Sequence, residues 1–135
     1  TEQARLEKRI ERIEEMVEER IGDLTKDQKQ IVSTYATQYV STSGEWLKYR
    51  RDIQNAARRL FVTRATNTNF ADELIYLMQH PEEYRSEAYQ QASTHNTKVM
   101  ATMLSEIISV LTEKQKSTLI KHIDELIETV SRFQQ

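Results

Sequence analysis

Leu24-Thr25-Lys26-Asp27-Gln28-Lys29 returns further along the chain as Leu111-Thr112-Glu113-Lys114-Gln115-Lys116. In each copy the threonine hydroxyl can accept from the amide three residues on. The glutamine side chain can reach back to the threonine's own amide, and this reciprocal capping box starts a helix. The leucine just before the cap can staple onto the first buried residue of the new helix. Each copy therefore predicts the end of one amphipathic helix and the start of another, and the fold read from this repeat is all-α. Two origins stand open: an ancestral duplication of a helix–corner–helix unit, or a second use of a good capping box.

Working outward, Leu6, Ile10, Ile13, Val17, Ile21 and Leu24 recur at steps of three and four, one apolar stripe on a helix that Gly22-Asp23 breaks. After Thr25 the stripe resumes in Ile31, Val32, Tyr35, Ala36, Tyr39 and Val40, which predicts a second helix running up to the polar corner Ser41-Thr42-Ser43-Gly44. Ser43 is the expected cap of a third helix reaching about Arg64, with Trp46, Leu47, Ile53, Ala56, Ala57, Leu60 and Phe61 as its apolar residues. Thr63 to Asn69 reads as a linker. Phe70 to Met78 forms a short fourth helix, stopped at His80-Pro81. Ser86 is positioned to cap a fifth helix bearing Val99, Met103, Leu104 and Ile107, and the second capping box opens a sixth. The expected architecture is one domain over residues 1–135, an antiparallel bundle of five to six amphipathic helices with the Leu-Thr-x-x-Gln corners at helix starts.

Composition supports helix and narrows function. Two glycines and one proline leave almost no turn punctuation, while 38% hydrophobic and 30% charged residues suit amphipathic helices. No apolar run is long enough to cross a bilayer. A net charge of −2 argues against a dedicated nucleic-acid binder. The absence of cysteine removes disulfides, thiol nucleophiles and cysteine zinc sites, and leaves the compartment open. Thr1 is not a natural start, so a longer parent chain is expected.

Candidate chemistry is sparse. His80, His95 and His122 share no ligand spacing, so no metal is expected. The Glu-rich first segment reads better as a solvated helix face than as paired carboxylates. No nucleophile elbow or phosphate-cradling loop is present, so no catalytic residue and no cofactor is assigned. The basic cluster carries more. Helix three holds Lys48, Arg50, Arg51, Arg58, Arg59 and Arg64 against only Glu45 and Asp52, whereas residues 1–24 carry eight acids against five bases. One reading pairs these segments with each other or leaves them solvated. The other makes Trp46, Tyr49, Arg50, Arg51, Arg58 and Arg59 a surface that grips acidic protein clients or lipid headgroups. Met16, Met78, Met100 and Met103 read as core before adaptable binding groups.

The paired motif, Leu24, Thr25, Gln28 and Leu111, Thr112, Gln115, resembles that of the LTxxQ proteins, which include the periplasmic chaperones Spy and CpxP. The order of features resembles more closely an uncharacterised family of helical lipoproteins from Gram-negative bacteria. That order is a charged helix (Arg9 to Arg20), the first motif, a Trp-Leu-x-x-Arg helix (Trp46 to Arg50), a Pro-Glu-x-x-Arg-Ser-x-x-Tyr stretch (Pro81 to Tyr89), and the second motif. The resemblance implies the C-terminal part of an envelope lipoprotein in the periplasm, touching the outer membrane only through a lipid on an upstream cysteine. The stretch from Thr63 to Pro81 departs from the shorter Spy-like pattern and makes a Spy-like cradle an analogy of fold only. The function this implies is a non-enzymatic, chaperone-like module that binds protein clients. The rival expectation is an assembly domain that docks one fixed envelope partner.

Overall fold

Gly22 sits at φ 85° and ψ −166°, a backbone region almost reserved for glycine, and there the first helix ends. The computed structural model describes residues 1–133, and among them every regular element is helical. Six α-helices follow in order: α1 Glu2–Ile21, α2 Lys26–Ala36, α3 Ser43–Val62, α4 Phe70–Gln79, α5 Glu87–Ser109 and α6 Glu113–Phe133. A single 3-10 turn, Pro81–Tyr84, stands between α4 and α5. The sequence does not foretell this turn, although Pro81 suits its first position because that amide needs no partner. No helix among the described residues is long and apolar enough to cross a membrane.

The chain divides into two compact units. The first combines Thr1–Tyr39 with the chain from Lys98 onward; the second is Val40–Thr97, so the boundary falls inside α5. In the first unit α1 packs on α2 and α6. Its core is Ile13, Val17, Ile21, Leu24, Val32, Ala36, Met103 and Ile107. The α1 members lie four apart, as the stripe predicts, and burying each large aliphatic side chain stabilises by about 1.5–3 kcal/mol. In the second unit α3 packs on α4 and on the 3-10 turn. Aromatic contacts replace an aliphatic core there. Tyr49 lies 5.6 Å from Trp46 and 5.7 Å from Tyr89, and Phe61 meets Phe70 edge-on at 5.4 Å.

The repeated motif is what ties the first unit together. Thr25 Oγ1 accepts from the Gln28 amide at 3.2 Å, and Gln28 Oε1 accepts from the Thr25 amide at 3.0 Å. Thr112 and Gln115 repeat both bonds at 3.1 and 3.0 Å. Both glutamines are buried, and their amides pair reciprocally at 2.7 Å. Each Nε2 spends its second hydrogen on the carbonyl just before the other motif's leucine: Gln28 on Val110 (3.2 Å) and Gln115 on Asp23 (2.8 Å). All four amide hydrogens and both lone pairs of each oxygen are thus engaged, which is what burial of a primary amide requires.

Helix ends differ from expectation in two places. The second helix stops at Ala36, short of the predicted Val40. The Ala36 carbonyl is taken by Arg9 Nη1 at 3.0 Å, and the Thr37 hydroxyl turns back to the Thr34 carbonyl. Val40 instead exchanges both its backbone groups with the Asn96 side-chain amide, at 3.0 and 2.9 Å. Ser43 is the first residue of α3 and not its cap; Thr42 holds the cap position without a side-chain bond. Ser86 does cap α5, its Oγ accepting from the Tyr89 amide at 3.0 Å.

Candidate functional site

An amphipathic helix whose inner face is small and aromatic turns its long charged side chains outward, and α3 does this. Ile53, Ala56, Ala57 and Leu60 are half-buried and Tyr49 is buried, while Arg50, Arg51, Arg58 and Arg59 are exposed. Among the described residues none of these four arginines has a carboxylate within ion-pair distance. Exposed apolar residues flank them at both ends of the helix: Trp46 and Leu47 at the start, Phe61 and Val62 at the close.

Tyr49, expected on this surface, is only 7% exposed and does not present itself to a partner. It is one helical step from Trp46 and closes the inner face, its ring tilted against those of Trp46 and Tyr89. The Arg85 guanidinium lies 5.3 Å from the Tyr49 ring and 5.4 Å from the Tyr89 ring. Tyr49 therefore holds the half-exposed Trp46 ring in place from beneath. Arg85, and the Ser86 hydroxyl that donates to Glu45 Oε2 at 2.9 Å, anchor the start of α3 in the same unit. Sequence reasoning placed Ser86 as the α5 cap but missed this second role and that of Arg85, because each acts on a residue about forty positions away and no local spacing announces it.

Along the last turns of α3 opens a groove of about 740 Å³, lined by Arg59, Leu60, Asp72, Glu73, Tyr76 and Tyr84 among others. Tyr76 donates to Glu83, and that bond holds the phenol above its ordinary pKa, reinforced by burial and the negative charge nearby. The groove wall thus offers a cation, two carboxylates and apolar rings within one unit. Such a lining can pair with the backbone and mixed side chains of an extended polypeptide. In the first unit, Met16, Arg20, Met100, Leu104, Ile108 and Leu119 line a second and smaller hollow of about 390 Å³, mainly apolar. Met103, by contrast, is wholly buried core.

The remaining candidates fall apart in space. His80 Nδ1 is 3.2 Å from Glu82, and His122 Nδ1 is 3.9 Å from Glu125. Among the described residues no group of three or more His, Cys, Asp or Glu converges as a metal site would. Leu24, Thr25, Gln28, Leu111, Thr112 and Gln115 lie together at the paired corners, where their bonds are spent on one another and on backbone.

Residues 1–90 match the model of a family of unknown function, DUF6279, and the chain belongs to that family. The matched stretch includes the first Leu-Thr-x-x-Gln copy and stops short of the second. No curated protein matches the chain, and no solved structure does.

Proposed function

We propose that this member of the family is a non-enzymatic, chaperone-like protein-binding module of the Gram-negative periplasm. The observation that carries the reading is the outer face of α3. It presents four exposed arginines, unpaired among the described residues, between apolar ends and beside a groove lined by both signs of charge. Arginine and tryptophan are the side chains that most often anchor protein contacts. Unpaired cations draw an acidic client in from a distance, and the apolar ends then hold its exposed hydrophobic segments. The reading further takes the helices as an antiparallel bundle and the paired corners as those of the LTxxQ class. With that class comes the resemblance to Spy and CpxP, and tethering by a lipid on an upstream cysteine.

Light scattering of a denatured, unrelated client at several molar ratios tests this without ATP. The domain should slow aggregation. Attraction between exposed charges weakens as salt screens it, so capture should slow between low and physiological ionic strength. Arg58→Glu with Arg59→Glu should impair capture while circular dichroism shows unchanged helix content. No suppression at excess domain would sink the chaperone reading and favour an assembly domain with one fixed envelope partner.

A further inference from the structure

We infer that α6 is a self-association helix, and that its partner is α6 of a second copy, running parallel and in register. The buried and half-buried residues of α6, namely Gln115, Thr118 and Leu119, all fall in its first two turns. Beyond them the apolar stripe continues, exposed, to the end of the helix. Ile120, Ile123, Leu126, Ile127, Val130 and Phe133 are all exposed, Leu126 by 64% and Phe133 by 88%. A surface helix with no use for this face would be expected to lose it, because contiguous exposed apolar area invites unspecific association.

Three features select the occupant. The stripe is a heptad seam, with Ile123 and Val130 at the first core position and Leu126 and Phe133 at the second. Among parallel coiled coils, β-branched residues at the former with leucine at the latter favour two strands over three or four. The seam's edges carry Ile120, Ile127, His122 and Thr129, so every Lys, Arg, Asp and Glu from Leu119 to Phe133 faces away from it. A copy of the same helix repeats every charge of the first, and a seam free of fixed charge is one that can meet itself without repulsion. Finally, six such side chains offer on the order of 600 Å² of apolar surface per copy. That approaches the roughly 800 Å² each partner contributes to a standard stable interface.

Sedimentation velocity across roughly 1–200 µM, with the chain as it stands, tests the association. The expected result is a concentration-dependent dimer that persists or strengthens as salt rises, opposite to the salt response expected at α3. Leu126→Glu with Ile123→Glu should weaken association at least a hundredfold, with helix content retained because both positions are exposed. The chain has no cysteine, so orientation can be read from one introduced thiol. Val130→Cys should form a disulfide-linked dimer under mild oxidation, and Lys121→Cys on the outer face should not. A monomer at every concentration overturns the proposal, as does a dimer indifferent to the glutamate substitutions. A dimer that never crosslinks through Val130→Cys overturns the parallel arrangement and with it the inference.

Discussion

Replacing Gln28 with leucine removes two donors and two acceptor bonds from a buried site. It strands the Val110 carbonyl, the Thr25 amide and half of the Gln115 side chain. Each buried polar group so orphaned costs about 1–3 kcal/mol, and part of the site can relax, so the variant should lose roughly 2–4 kcal/mol in urea unfolding. Gln115→Leu should cost a similar amount. The double variant should cost less than the two together by at least about 1 kcal/mol, since the second change removes groups that the first has already stranded. Tyr39 is the opposite case. Its hydroxyl is buried without a hydrogen-bond partner among the described residues, and burial raises its pKa despite the Arg9 charge nearby. Tyr39→Phe should therefore leave stability unchanged or raise it by up to about 1 kcal/mol, read from the same denaturation midpoint. The capping role of Thr25 and Gln28 was legible because a box closes within three residues. The Gln28–Gln115 pair was not, because no local spacing says that two equal corners face each other.

Helix ends decide the next scale up. A methyl group at Gly22 would have open space, with no atom within 4 Å, yet φ 85° with ψ −166° is hostile to any side chain. Gly22→Ala should therefore destabilise by about 1–3 kcal/mol through backbone conformation alone. Thr25→Ala and Thr112→Ala should each cost roughly 1 kcal/mol, the usual worth of a cap. Thermal or urea midpoints of these three variants are the check. The apolar spacing located all six α-helices, since periodicity is a property of each segment by itself. It overran α2 because Tyr39 and Val40 keep the helical step while their surroundings do not. Arg9 takes the final carbonyl of α2, and Asn96 takes both backbone groups of Val40. On α3 the charged face could be read from sequence, whereas the burial of Tyr49 depends on Tyr89 and Arg85, far along the chain.

For the whole molecule, the two units differ in what holds them. The aliphatic core cluster belongs to the first unit, while Tyr49 and Leu77 are the buried hydrophobic residues of the second among those described. Amide exchange follows the depth of such burial. Core amides of α1 and of α5 from Lys98 onward should thus be at least tenfold slower than those of α3 and α4, as measured by mass spectrometry. The reciprocal glutamine pair has a further consequence, in time. Its members are 87 positions apart, with the whole second unit between them. At synthesis rates of about 5–20 residues per second, Gln28 is added to the growing chain roughly 4–17 s before Gln115 is. Through that interval Ile13, Val17 and Ile21 have no α5 or α6 to cover them, and the nascent chain must be kept from its neighbours while the insert that delays its own closure is still being made.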